Sequence, residues 1–308
     1  MVAACPLVRR FPDTEAVSMS HDPQRPQATT VRFWGVRGSL PSPGPATLRY
    51  GGNTTCVEVR TGGERIVIDA GSGIRPLGQA LLKEHSGTPI ALTLLHSHAH
   101  WDHIQGFPFF APAYLPTTRI RVVGGHPTAA DLRRVFADQM DGKRWFPLPF
   151  DRLAATIDFD HLDLAGDLRF RVGDVAVAAC PTNHPGGSLG FRIETPQGAI
   201  VFLSDHETAG PDEPRIRDFI AGAAILIADA QYDATEIVTR RGWGHGCVDE
   251  VMALAGGVGI GRVVLFHHDP SHDDDHLDRL VAAARARAGR DHPGMIVGAA
   301  REGETIEL

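Results

Sequence analysis

The sequence predicts a mixed α/β fold, and three observations carry that prediction. Short apolar or alternating runs rich in Val, Ile, Leu and Phe recur along the 308-residue chain, in lengths that suit strands. Between them lie amphipathic segments long enough for helices, at residues 74–84, 127–140, 213–221, 248–254 and 272–288. Turn signals such as Gly173-Asp174 and Gln197-Gly198 separate consecutive strand-like runs.

A formal net charge of −7 without a basic stripe argues against a surface for long nucleic acid, although a local phosphate pocket is compatible with it. Small substrates fit that balance. Cys5, Cys56, Cys180 and Cys247 are scattered without a Cys-x-x-Cys pair, which excludes a disulfide framework and a thiolate zinc site and points to a reducing, cytoplasmic setting. No apolar run approaches the roughly 20 residues that span a bilayer, and the N-terminal residues lack a signal-peptide core, so neither membrane attachment nor export is expected. Residues 1–29, rich in Pro, Ser, Thr, Asp and Gln and without periodicity, are expected to form a disordered leader ahead of a single domain at 30–308.

The first ordered run, residues 30–34, alternates as a strand and enters two glycine-bearing loops at 35–41 and 50–55. Ser39, Asn53 and Thr54 are candidate donors at a site mouth there, or plain turn chemistry. A hairpin over residues 56–60 and 65–69 leads through Asp69-Ala70-Gly71-Ser72-Gly73 to the helix at 74–84, and residues 90–95 read as a buried strand. Residues 106–114 and 143–150 combine Pro with aromatics and must be covered, as a substrate lid, a homodimer contact or plain core filling. A strand at 120–124 lies between them. Strands at 156–159, 168–172, 175–179, 189–193, 199–204, 224–227 and 262–266 complete the pattern with the later helices.

The chemistry concentrates in His96-Ser97-His98-Ala99-His100-Trp101-Asp102-His103, directly after the strand at 90–95. On extended backbone His98 and His100 leave the same face, and Asp102 and His103 follow where the chain bends, so two ligand pairs aim at neighbouring points. Two pairs suggest two metal ions. Imidazole nitrogen and carboxylate oxygen suit Zn²⁺, with Mn, Fe or Co as alternatives, and the absence of a nearby cysteine favours a catalytic over a closed structural site. A solvated histidine-rich turn is the bland alternative. The pattern His-x-His-x-Asp-His at His98, His100, Asp102 and His103 resembles the signature of the metallo-β-lactamase superfamily, and His96 falls outside its register.

That resemblance covers about residues 30–308 and implies an αββα sandwich of two mixed sheets with helices outside. It also implies distant ligands: His184 with His98 and His100 for one ion, His267 with Asp102 and His103 for the other, and Asp205 bridging. Each follows an apolar strand-like run. His206 is a rival to Asp205, and His268 and Asp269 are rivals to His267, because a one-residue shift reverses side-chain direction on a strand. Asp69, in an Asp-x-Gly strand end, resembles a carboxylate that braces the metal turn from beneath. His245, in Trp243-Gly244-His245-Gly246-Cys247 before an apolar helix, resembles the histidine that acts on the scissile phosphate in the phosphodiesterase branch, which includes tRNase Z and small cyclic-phosphate diesterases. Asp229 stands where a companion histidine is usual. His85, His126, His161, His272, His276 and His292 lie in polar stretches and read as solvated surface.

The expected activity is binuclear metal-assisted hydrolysis of a small phosphodiester, such as a cyclic nucleotide or cyclic phosphate, by water activated between the two ions. Asp102 and Asp205 hold those ions, and His245 donates to a phosphate oxygen or the departing alkoxide. The interval from His184 to Asp205, 205 − 184 = 21 positions, leaves no room for the arm that tRNase Z members carry there. Trp145 or Phe146 is a candidate for base stacking. Two other functions are compatible with the same ligands: a carboxylic ester, lactone or thioester hydrolase, and a metal-dependent binding or sensor protein.

Overall fold

The computed structural model describes residues 28–208 and 213–308. The expected leader lies outside them apart from its last two residues, and Thr29 is not loose. It is fully buried, its hydroxyl lies 2.8 Å from that of Thr61 and 2.6 Å from Oε1 of Gln197, and its carbonyl accepts from the backbone of Leu308.

The first sheet is built from β1 (Thr30–Gly35), β2 (Cys56–Thr61), β3 (Glu64–Ile68), β4 (Ile90–His96), β5 (Thr118–Gly124) and β6 (Thr156–His161), joined by α1 (Ile74–His85), α2 (Trp101–Ile104) and α3 (Ala129–Ala137). The second contains β7 (Arg169–Val172), β8 (Val175–Pro181), β9 (Leu189–Ile193), β10 (Ile200–Leu203), β11 (Ile225–Asp229), β12 (Arg262–Phe266) and β13 (Ile296–Ala299). Its helices are α4 (Glu213–Ile220), α5 (Ile237–Arg240), α6 (Val248–Ala255) and α7 (Asp274–Asp291). The closing β14 (Thr305–Glu307) returns to the first sheet beside β1. Among the described residues this gives two seven-stranded sheets, in the orders β14-β1-β2-β3-β4-β5-β6 and β13-β12-β11-β10-β9-β8-β7. Both mix parallel and antiparallel pairs, and helices cover their outer faces, so the αββα sandwich is the observed architecture.

Strand alternation explains how the layers hold together. On β10, Ile200 and Phe202 enter the core between the sheets, while Val201 and Leu203 pack under the helices, so every residue of the strand is buried. Phe202 meets Phe266 edge to face at 5.6 Å in the middle of that core. Truncation there removes a ring that nothing can replace. Phe202→Ala is therefore expected to cost about 3–5 kcal/mol in urea unfolding, and a loss below about 1 kcal/mol would contradict tight packing between the sheets.

Element boundaries follow capping chemistry. The helix expected from residue 127 starts at Ala129 because the Thr128 hydroxyl accepts from the Asp131 backbone at 3.1 Å, and the last helix starts at Asp274 because Asp273 caps His276 N at 2.7 Å. The strands β13 and β14 have no counterpart in the sequence reading: Ile-Val-Gly-Ala and Thr-Ile-Glu are too short to signal alone, and sheet pairing makes them strands. The aromatic segment at 106–114 resolves as core filling, with Phe107 and Phe110 buried beside α1. Only Phe109 is exposed there, edge-on to Phe146 of the second aromatic segment.

Because β3 and β4 run parallel, as do β10, β11 and β12, their C-terminal ends gather at one rim of the sandwich. Two antiparallel pairings bring β8 into the same sense as β10. The candidate residues lie on that rim.

Candidate metal centre

His98 and His100 leave the turn after β4, Asp102 and His103 lie in α2, and His184 follows β8; Asp205 stands two residues after β10 and His267 directly after β12. The structure brings all seven together. His98, His100 and His184 form one group of mutually close donor atoms and Asp102, His103 and His267 another, while Asp205 belongs to further groups, one with His98 and His103 and one with Asp229, His245 and His267. One oxygen of Asp205 lies 3.2 Å from His103 and 3.4 Å from His267, and the other 3.6 Å from His98 and 3.8 Å from His184. That carboxylate stands between the two groups.

The outer ring nitrogens are tied down, which turns the inner ones towards a common space. Nδ1 of His184 donates to the Gly244 carbonyl at 2.9 Å, and Nδ1 of His267 to Oε1 of Gln231 at 2.9 Å. His103 donates from Nδ1 to Asp69 at 2.7 Å, while Nδ1 of His98 donates at 3.0 Å to Ser97 Oγ, which itself donates to Asp69 at 2.7 Å. Asp69 therefore orients two imidazoles without reaching the centre. These are the contacts by which proteins fix the tautomers of metal-binding histidines. Ser97, Gln231 and the Gly244 carbonyl were not singled out in the sequence, where nothing in their local pattern marks them.

Backbone conformation decides the rivalries between neighbours. Asp69, Asp205 and His267 have φ of 61, 52 and 60°, and Ser39 has 59°, in the left-handed region that non-glycine residues seldom occupy. Four of the five such residues among those described line this rim, where strain is held in place by the surrounding contacts. His267 thereby turns inward, while His268 turns to the Ala300 carbonyl at 3.0 Å and Asp269 accepts from Ser271. His206 turns away from Asp205 and accepts from the Asn183 backbone at 3.1 Å. Gly38 is required beside His267, since a Cβ there would lie 2.4 Å from its Nδ1.

The electrostatics fit divalent cations. Burial opposes a charge on His103, yet Asp205, Asp102 and Asp69 around it raise its affinity for a proton well above the ordinary value. Burial likewise opposes ionisation of Asp102 and Asp205, but the histidines at their oxygens hold both carboxyls well below the usual range. Burial and the neighbouring His103 keep His98 neutral, and its buried Nε2 has no hydrogen-bond partner. A neutral donor without a partner, facing a carboxylate, in a cluster short of positive charge, suits a bound cation.

His245 reaches the same space from the loop before α6, stacked on His267 with ring centroids 5.0 Å apart. Its Nδ1 donates to Asp229 at 2.9 Å. Burial works against its charge, but Asp229 and, farther off, Asp205 prevail and push the imidazolium up to about 9. Of the mouth candidates, Ser39 is exposed and donates its backbone N–H to Asp102 at 2.7 Å. Asn53 and Thr54 are not at the mouth. Asn53 pairs with Glu302 and Ser72, while the Thr54 hydroxyl accepts from Ser72 and Gln105, so both cross-link loops inside the fold. His96 is buried against Phe136 and His126, outside the cluster. A cavity of about 390 Å³, lined by Ala99, Trp101, Ile104, Arg134 and Trp145, opens beside the histidine turn.

A family model described as a β-lactamase superfamily domain matches residues 64–268. A Ribonuclease Z of Bradyrhizobium diazoefficiens is 23% identical over 309 residues, covering 85% of this chain and 98% of its own. Among solved structures, the metallo-β-lactamase fold protein YhfI of Bacillus subtilis superposes with a TM-score of 0.64 at 17% identity, over 91% of this chain and 100% of its own. A diphosphatase of the PhnP family gives 0.60 at 17% identity, over 91% and 98%. The structural likenesses are likenesses of fold.

Proposed function

Because the chain belongs to the metallo-β-lactamase superfamily and is a metal-dependent hydrolase, we propose that it cleaves a small phosphodiester, such as a cyclic nucleotide, at a two-ion centre. His98, His100 and His184 would hold one divalent ion, Asp102, His103 and His267 the other, with Asp205 between them and Zn²⁺ the preferred metal. When bound, such ions supply Lewis acidity at phosphorus-bound oxygens and lower the pKa of water. The observation that carries the phosphodiester reading is His245, an imidazole beside the donor cluster whose Nδ1 donates to Asp229 at 2.9 Å, a contact that favours its protonated form. At a phosphodiester such a group gives its proton to the oxygen that leaves as the P–O bond breaks, or donates a hydrogen bond to a phosphate oxygen, and the Asp229 carboxylate steadies the charged ring beforehand. In this reading Asp229, standing where a companion histidine is usual, takes part by holding His245.

Substrate size is argued from the rim. The interval between His184 and Asp205 is filled by β9, β10 and their turn, and the cavity beside Trp101 and Trp145 lies in the range of pockets for single small ligands. Trp145, not Phe146, lines that wall, where a base could stack. The buried, unpaired thiols of Cys56 and Cys247 support a cytoplasmic setting, and no helix among the described residues is long and apolar enough to cross a membrane.

The test is a comparison of substrates on metal-loaded protein. Bis-p-nitrophenyl phosphate and cyclic nucleotides are expected to turn over, with little or no cleavage of a homoserine lactone, a thioester or precursor tRNA. Efficient, site-specific 3′ trimming of precursor tRNA in a low-salt gel assay would transfer the function to the RNA substrate that the name of the Bradyrhizobium relative indicates.

A further inference from the structure

A second set of donor atoms lies on the far side of the loop that carries His245. His272 and His276, which read as surface in the sequence, come together where α7 begins, and His272 is only 3% exposed. Their rings stack with centroids 3.9 Å apart. Nε2 of His272 faces both oxygens of Glu236 at 3.0 Å, and Glu236, His272 and His276 form a group of mutually close donor atoms. Nε2 of His276 has no hydrogen-bond partner and lies 3.8 Å from Asp233, and Nδ1 of the buried His272 has none either.

We propose that Glu236, His272 and His276, completed by Asp233, form a third divalent-cation site, separate from the hydrolytic pair, that fastens the His245 loop to α7. Two imidazoles and carboxylate oxygens are a donor set for zinc and similar ions. Metal–ligand bonds of 2.0–2.1 Å on a tetrahedral ion place neighbouring donors about 3.3–3.4 Å apart, so the 3.0 Å between His272 and Glu236 needs only a small opening. A simple ion pair accounts for the cluster less well. Arg240 at 3.4 Å supplies one positive charge to Glu236, but Asp233 adds a second carboxylate 3.8 Å from His276.

The scaffold is already set. Asp273 holds the His276 backbone, Asp233 accepts from the backbones of Thr235 and Glu236, and Glu236 accepts from that of Asp233. The site also touches the frame of the hydrolytic centre. The His272 carbonyl accepts from buried Arg37 at 2.7 Å, Arg37 also donates to the Asp269 and Gly51 carbonyls, and Asp269 accepts from Gln231, the residue that orients His267. A cation here would stiffen the segment between Asp229 and His245 without meeting substrate.

Full-length wild-type protein, His276→Gln and Glu236→Gln are stripped with chelator, titrated with Zn²⁺ by calorimetry and analysed for zinc after desalting. Wild type should retain about one zinc per chain more than either variant, and its titration should contain one binding event that is weakened at least tenfold or lost in both. His276 sits in a partly exposed helical turn, and circular dichroism of the zinc-loaded variants checks that they remain folded. Equal zinc content and matching titrations in all three proteins would overturn the proposal, whatever their phosphodiesterase activity.

Discussion

Asp205→Ala is expected to release both ions of the hydrolytic pair and take hydrolysis to background. The carboxylate lies within 4 Å of five histidines from four other segments, so its loss removes the link between the two donor groups as well as a candidate ligand. Without it, His98, His100 and His184 have no carboxylate among them to balance a cation, and Asp102 alone is left to the other group. The fall in rate should exceed the roughly 10²–10³-fold that removing a single electrostatic donor costs. Asp69→Asn is the graded comparison: it disturbs only the orientation of His98 and His103, for which about 10–100-fold in metal affinity or activity is expected. Elemental analysis alongside kinetics decides the matter. Full activity of Asp205→Ala with one ion per chain would refute a binuclear centre.

His245→Ala should leave metal content intact and separate substrates by leaving group. If the imidazolium protonates the departing oxygen, diesters with alkoxide leaving groups lose about 10²–10⁴ in rate, whereas p-nitrophenolate departs unaided and is largely spared. The pH profile gives an independent sign. A general acid must carry its proton, so wild-type turnover of alkyl diesters should fall as pH rises through the His245 pKa, about 9 with the carboxylates of Asp229, Asp205 and Asp102 around it and lower once cations repel the imidazolium. That basic limb should vanish in His245→Ala. Equal losses on both leaving groups would assign His245 to stabilising a phosphate oxygen, and no loss on any diester would remove the main reason for choosing phosphorus over carbonyl carbon.

By itself the sequence determined the class of the fold and the first half of the candidate donor cluster. His98, His100, Asp102 and His103 were legible because they lie within one turn, where spacing along the chain is nearly spacing in space, and apolar periodicity marked the strands on either side. Tertiary structure alone decided the rest. Oxygen and nitrogen atoms from residues 165 apart, as in Asp102 and His267, or 84 apart, as in His100 and His184, meet only because parallel strands of two sheets end at one rim. The choice of His267 over His268 rests on a left-handed backbone position, which strand alternation cannot foretell. His272 reads as polar surface from its neighbours, yet the packing of α7 against the Asp233–Glu236 turn buries it. The physical reason is the same throughout: local sequence sets which groups a segment carries and its period, while direction and company are fixed by contacts that form only when the whole chain has closed.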